Sequence, residues 1–143
     1  MKFSEVDEKT WPELQPYFDT CLIPYTGMTG AETPWEATMA LERLRDFLDY
    51  VEIPFKGRVV TYPAMQYGGQ ASVRLLNEIC HKVKSTGFAY AIVMTADCKL
   101  TGEDVPESAL VLSLPEIAAS GTESVKEAVA GLIGNLWNKK PGS

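Results

Sequence analysis

Residues 88–94 read FAYAIVM, an apolar stretch that follows Gly87 and ends before the polar Thr95. A strand that is apolar at nearly every position is typical of burial on both faces, and such strands belong to parallel sheets covered by helices on each side. This stretch therefore predicts a central strand of an α/β sandwich. The segments on either side of it alternate between strand and helix patterns, which supports that fold class.

Three further strands are predicted from short runs of β-preferring residues bounded by Pro or Gly. They are residues 20–25 (TCLIPY), 58–62 (RVVTY) and 109–114 (ALVLSL). Right-handed crossovers favour a flavodoxin- or Rossmann-like sheet in which the four strands, numbered along the chain, lie in the order 2-1-3-4. The linker 95–108 shows little helical periodicity and barely reaches the length that a parallel crossover needs. The fourth strand could therefore run parallel or antiparallel to the third.

Three helices alternate with these strands. Thr33, Pro34 and Glu36 carry the signature of a capping box with Pro at the first helical position. The second helix ends before Gly87, and a capping box over 120–123 is expected to open the third. Apolar residues at helical spacing give each helix one buried face: Ala37, Ala40, Leu41, Leu44, Leu48 and Val51; Val73, Leu76, Cys80 and Val83; Val125, Val129, Leu132, Ile133 and Leu136.

These elements predict a small three-layer α/β sandwich with a mostly parallel four-stranded sheet and helices on both faces. The sequence contains no internal repeat, low-complexity stretch or obvious linker. A single domain is therefore expected over residues 1–143. Residues 1–18 are interpreted as a partly helical segment, and 139–143 as a frayed tail.

Charge and cysteine content restrict the partners and the compartment. Thirteen Lys and Arg against nineteen Asp and Glu give a net charge of −6, which disfavours nucleic acid and anionic membrane surfaces as partners. The three cysteines are widely spaced and form no CxxC pair, as expected of free thiols in the cytoplasm. No signal peptide and no apolar run of membrane-spanning length is visible, so membrane insertion is not expected.

A ligand site in an open α/β sheet lies outside the carboxyl ends of the strands. The candidate residues there are Tyr25, Thr26, Gly27, Tyr62, Gln66, Tyr67, Gly68 and Asp97. Their composition would suit a nucleotide- or sugar-like small molecule. The glycine turns match neither the dinucleotide nor the P-loop fingerprint, and Lys99 is the one nearby lysine against several carboxylates. Asp97 could bind a hydroxyl group, hold a cation or act as a base, or it could simply cap a turn.

The usual catalytic groups are poorly supported. Asp97 raises the pKa of its neighbour Cys98, which is the wrong direction for a nucleophile. The single histidine, His81, falls on the polar side of its helix. The loop acids Asp97, Glu103 and Asp104 fit no known cation loop. No metal and no cofactor is therefore predicted, and the residues do not decide whether the protein is an enzyme.

Two further features bear on packing and assembly. Trp11, Trp35 and Trp137 lie near helix ends and are expected to pack as lids over the core. Gly131 and Gly134 weaken the last helix, and close contact between two subunits is one reason to keep glycine there. A homodimer is accordingly one candidate assembly.

Four segments carry a family resemblance: YFDTCLIP at 17–24, FKGRVV at 55–60, MTAD at 94–97 and Leu114-Pro115. They resemble the YpiF-like proteins, an uncharacterised family of Gram-positive, spore-forming bacteria. The resemblance covers most of the chain and implies a single cytoplasmic domain. It implies no activity, cofactor or catalytic residue.

Two functional hypotheses follow. The first is a non-catalytic interaction or accessory protein that binds a protein partner or a second copy. The alternative is a small-ligand binding protein or enzyme with its site at the carboxyl edge of the sheet. They differ in one geometric respect, namely whether Tyr25, Tyr67 and Asp97 converge on one concave pocket.

Overall fold

A computed structural model describes residues 1–121 and 124–139, and its sheet is parallel throughout. A 3₁₀ turn (Phe3–Glu5) and a short helix α1 (Trp11–Leu14) precede the first strand, as expected for a partly helical segment. The remaining elements are β1 (Thr20–Met28), α2 (Pro34–Glu52), β2 (Val59–Thr61), β3 (Met65–Tyr67), α3 (Gln70–Ser85), β4 (Tyr90–Thr95), β5 (Leu110–Ser113), α4 (Leu114–Ser120) and α5 (Val125–Asn138).

Within the described residues the sheet has five strands, so the prediction of four is wrong. Four of them lie in the order β2-β1-β4-β5, and the additional strand β3 pairs with the second half of β1, Tyr25 opposite Met65. Pro63 separates β2 from β3, because proline cannot donate a ladder hydrogen bond. The four predicted strands thus keep their expected relative order. The fourth predicted strand, β5, runs parallel to β4, with Ile92 opposite Leu110.

The central strand β4 is buried on both faces, as predicted. Ala91 and Val93 belong to the core cluster on the α3 side, while Ile92 and Met94 belong to the cluster on the side of α2 and α5. Helices therefore cover both faces of the sheet, and the three-layer α/β sandwich is confirmed.

Helix α2 begins as the sequence predicts. The Thr33 side chain accepts a hydrogen bond from the Glu36 backbone N–H, and Glu36 in turn accepts from the Thr33 backbone N–H at 3.0 Å. The face toward the sheet is buried through Ala40, Leu44, Phe47, Leu48 and Val51. Leu41, which was expected on that face, is instead 40% exposed.

The carboxyl-terminal region differs from the prediction at two points. The chain leaves β5 after Ser113 and turns into α4, a helix the sequence reading did not include. The last helix does not begin with a capping box over 120–123: Ser120 ends α4 and Glu123 lies outside the described residues. Ser124 caps α5, and its side chain accepts from the Glu127 backbone N–H. Of the predicted tail, only Lys139 is described.

An ion pair and an aromatic ring close the amino end of the sheet. Arg58 donates to both carboxylate oxygens of Asp19 at 2.8 and 3.0 Å. The Trp137 ring lies 4.1 Å from the Arg58 guanidinium carbon, and its Nε1 donates to Thr20 Oγ1 at 3.0 Å. Trp11 packs against the ring of Phe88 on the other face. These two tryptophans act as lids, as expected.

No helix within the described residues combines the length and the apolar character needed to cross a membrane.

Candidate functional site

The strands β1 and β4 send the chain to opposite faces of the sheet, which defines the switch point where α/β proteins bind ligands. The chain continues from β1 into α2 on one face, whereas the loop after β4 places Leu100 and Val105 in the core on the α3 face. The carboxyl ends of both strands therefore face the same crevice, as the sequence predicts for Gly27 and Asp97.

Cys98 fills the centre of this crevice. Gly27 has a φ of 72°, and a Cβ on it would lie 1.9 Å from the Cys98 Sγ. A Cβ on Gly68 would lie 2.8 Å from the Gly27 carbonyl oxygen. The Ser113 hydroxyl fixes the loop by donating to the Cys98 carbonyl at 2.6 Å. The crevice is thereby divided into two clefts that share Gly27 and Cys98.

The first, which we call the α3 cleft, has a volume of about 520 Å³ and lies at the amino end of α3. Tyr25 and Gly68 from the predicted set line it, and Tyr25 is only 2% exposed. Burial raises the pKa of the Tyr25 phenol, so it stays neutral at ordinary pH. Two cationic side chains, Arg74 and Lys99, and one carboxylate, Asp104, line this cleft.

The second, the α2 cleft, has a volume of about 360 Å³ and contains Thr26 and Asp97 from the predicted set. Arg43 donates to both oxygens of Asp97, from Nε and Nη2, each at 2.9 Å. The Asp97 carboxylate therefore binds the Arg43 guanidinium of α2. It does not cap its own turn and is not available to hold a cation. Trp35 and Met39 line the same cleft.

Trp35 is 64% exposed, so its prediction as a lid over the core is wrong. The reason is geometric: the first turn of α2, which Pro34 opens, lies beside the loop ends and not over the strands. The helix buries its apolar face only from Ala40 onward. An exposed tryptophan, a methionine and an arginine at four-residue spacing therefore line one wall of the α2 cleft.

The remaining predicted residues are not brought into either cleft. Tyr62 packs edge-on against Phe3, with ring centroids 5.0 Å apart, in a separate groove formed with the amino-terminal segment. Gln66 and Tyr67 are exposed on β3, and Tyr67 is 61% exposed. The Gln66 carbonyl accepts from the Thr26 hydroxyl, so its contribution to β1 is structural. Tyr25, Tyr67 and Asp97 do not converge on one pocket.

The thiols are not activated. Burial raises the pKa of the Cys98 thiol, and the adjacent Asp97 carboxylate adds to the shift. Burial likewise raises the pKa of Cys21 to about 12 and that of Cys80 to about 11. All three cysteines are free. A thiol with a raised pKa carries little thiolate at neutral pH and is a weak nucleophile.

Other polar groups have local roles. The His81 side chain is 68% exposed, and its Nδ1 lies 3.7 Å from the Glu107 carboxylate. Asp104 accepts from the backbone N–H of Thr101 at 2.9 Å, which makes it a turn residue. Among residues 1–121 and 124–139, no three His, Cys, Asp or Glu side chains come together as a metal-binding group.

The predicted site did not include several residues of these clefts, among them Arg43, Arg74, Met39 and the exposed side of Trp35. Arg43 reaches a partner 54 positions away, which no local pattern reports. Arg74 lies in the second turn of α3 and lines the cleft together with Tyr25 and Lys99, a grouping that depends on tertiary packing. The signal that was available for Trp35 was its place directly after Pro34, ahead of the first buried turn.

The chain belongs to the family described as "Protein of unknown function (DUF2487)", whose model matches residues 9–136. No curated protein and no solved structure was found to match it.

Proposed function

We propose that this protein is a non-catalytic interaction or accessory protein that binds a partner protein beside the α2 cleft. The observation that carries the proposal is Trp35, which is 64% exposed on the wall of a formed cleft. Tryptophan and arginine are enriched among the residues that dominate interface binding energy. A tryptophan ring buries a large area on binding and has only two side-chain torsions to fix.

The surroundings of Trp35 favour binding. Met39, 47% exposed, lies one turn further along α2. Arg43, one more turn on, is held in a fixed orientation by its two hydrogen bonds to Asp97. A surface whose side chains are already ordered loses less conformational entropy when it binds.

The chemistry of the crevice supports a non-catalytic role. Catalysis by a nucleophile needs an activated group with a base in reach. Cys98 has a raised pKa, and Asp97 is engaged by Arg43. Some candidate residues are divided between the two clefts and Tyr62, Gln66 and Tyr67 lie in neither, which weakens the support for a single small-molecule pocket built from them.

The test uses a photo-crosslinking amino acid at Thr38, an exposed position on α2 beside Trp35. We expect irradiation in native host cells to give a discrete protein adduct, and we expect Trp35→Ser to abolish it. Tyr17→Ser is the matched control, because Tyr17 is 71% exposed but precedes β1 at the opposite end of the sheet. An adduct that forms equally with both variants, or no adduct at all, would contradict the proposal.

A second candidate function is the binding of a small anionic ligand, nucleotide-like or sugar-phosphate-like, in the α3 cleft. The specific observation is that Arg74 and Lys99 line this cleft together at the amino end of α3. A ligand that binds only the folded protein raises its melting temperature. We expect any stabilisation by nucleotides or sugar phosphates to be lost in Arg74→Gln and kept in Lys82→Gln, an exposed lysine on the same helix. A flat screen would remove this candidate.

We also propose a more specific family, location, fold type and assembly for this protein. The four quoted segments support membership of the YpiF-like proteins of spore-forming bacteria, and the three free thiols support a cytoplasmic location. The order β2-β1-β4-β5 supports a flavodoxin-like build of one domain. A Cβ at Gly131 or Gly134 would meet no described atom within 4 Å, so a homodimer contact through α5 stays a proposal that light scattering can test.

A further inference from the structure

We infer that the partner presents a basic segment with apolar ends to the outer face of α2, an inference that rests on the interaction function proposed above. Six residues at alternating spacings of four and three lie along one line of that helix and its cap: Trp35, Met39, Glu42, Asp46, Asp49 and Ile53. We call this line the outer stripe. From Trp35 to Ile53 it covers 19 residues, and the 18 steps between them rise about 27 Å along the helix.

The outer stripe lies opposite the buried face of α2. Its apolar residues are exposed at both ends, with Trp35 at 64%, Met39 at 47% and Ile53 at 66%. In the middle, the Asp46 side chain is 70% exposed. Helices that only cover a sheet keep large apolar side chains on the inner face, so apolar side chains at both ends of the outer face favour a binding surface.

The middle of the outer stripe is acidic. Residues 34–52 contain five carboxylates against two arginines. Arg43 is engaged by Asp97, and Arg45 lies 3.3 Å from Asp46 at the edge of the stripe. Glu42 and Asp49 form no ion pair with a described residue. The stripe therefore combines apolar anchors with uncompensated negative charge.

Charge complementarity indicates which kind of partner binds the outer stripe. A second copy docked antiparallel on the same face would bring Glu42 of one copy opposite Asp46 of the other, and like charges across an interface cost free energy. An anionic membrane or a nucleic acid would meet the same repulsion. A protein segment with lysines or arginines between two apolar residues matches both the charge and the length.

The test measures the Thr38 crosslink in two variants of equal net charge. Glu42→Lys with Asp46→Lys reverses the stripe, while Glu8→Lys with Glu103→Lys reverses two exposed acids elsewhere. Each pair changes the net charge from −6 to −6 + 4 = −2. We expect the adduct yield to fall about tenfold in the stripe variant and to stay within about twofold in the control. We also expect the crosslinked peptide, identified by mass spectrometry, to carry more Lys and Arg than Asp and Glu.

A variant without charge reversal distinguishes a loss of partner binding from a folding defect. Glu42→Gln with Asp46→Asn keeps the side-chain shapes, and we expect it to give an intermediate yield with unchanged urea unfolding. Equal yields in the stripe and control variants would overturn the inference, as would an acidic crosslinked segment or an adduct with a second copy. In those cases a Trp35-dependent adduct would still support the interaction function. If no Trp35-dependent adduct forms in the unmodified chain, the proposed function itself fails.

Discussion

The two ends of the sheet each contain a bidentate pair between an arginine and an aspartate, yet the pairs have different surroundings. At the amino end, Trp137 stacks on the guanidinium of Arg58, which pairs with Asp19, and contacts Phe55 with ring centroids 5.0 Å apart. At the carboxyl end, Arg43 and Asp97 lie beside Trp35, whose ring remains mostly exposed.

This difference distinguishes an end of the sheet whose tryptophan stabilises the fold from an end whose tryptophan is available to bind a partner. The two pairs are similarly exposed, with the side chains of Arg58 and Asp19 at 37% and 32% and those of Arg43 and Asp97 at 48% and 33%, so solvent screens both. What differs is the tryptophan: a ring stacked on a guanidinium adds a cation–π attraction and packing contacts, which stabilise the fold. The carboxyl end thus keeps an accessible tryptophan beside its pair, while at the amino end the tryptophan packs on the pair.

The largest expected effect distinguishes the two tryptophans. Trp137→Ala removes the contacts to Phe55 and Arg58 and the hydrogen bond to Thr20, and we expect it to lower the free energy of unfolding by about 2–3 kcal/mol. Trp35→Ala should change it by less than about 0.5 kcal/mol because the ring is exposed. Urea unfolding of both variants measures this. Comparable losses would contradict the division between the two ends.

One part of the carboxyl end is nevertheless tightly packed. Gly68→Ala places a methyl group 2.8 Å from the Gly27 carbonyl oxygen, and backbone cannot move aside as a side chain can. We expect a loss of about 2 kcal/mol in urea unfolding. Gly57→Ala is the control, since its Cβ would meet nothing within 4 Å, and it should be neutral or slightly stabilising. A neutral Gly68→Ala would show that the contact between Gly68 and the Gly27 backbone is loose.

The aspartates give a smaller difference. Asp19→Asn weakens the ion pair with Arg58 and the hydrogen bond from Thr20 Oγ1, and we expect a loss of about 1 kcal/mol. Asp97→Asn should cost less than about 0.5 kcal/mol, because among the described side chains Asp97 accepts from Arg43 alone and that pair is partly exposed. Double-mutant cycles with Arg58 and Arg43 measure each coupling. A larger coupling for Asp97 would reverse the comparison.

The smallest expected effect concerns thiol reactivity. Burial raises the pKa of Cys98, so its alkylation by iodoacetamide at neutral pH should be slower than that of free cysteine. The rate should rise with pH until the raised pKa is passed. Cys98→Ser should remove this reaction, because Cys21 and Cys80 are buried. Rapid alkylation of Cys98 at neutral pH would indicate an activated nucleophile and argue for catalysis.

Local patterns predicted much of the fold but less of the site. The all-apolar β4 and the Thr33 capping box were read correctly because both depend on neighbouring residues. The three-residue β3 was missed because it is too short to show alternation. Helix α4 had a signal, since Ser113 and Glu116 fit a capping box, but the Ser113 hydroxyl is used by Cys98 instead.

The sequence by itself determined the layers of this protein and most of the buried face of α2, because apolar periodicity is a local property. Only the tertiary structure decided that Arg43 meets Asp97, that Cys98 fills the crevice against Gly27, and that Trp35 stays outside. Those contacts join residues far apart in the chain. They depend on strand order and on the face each crossover takes, which no short stretch of sequence contains.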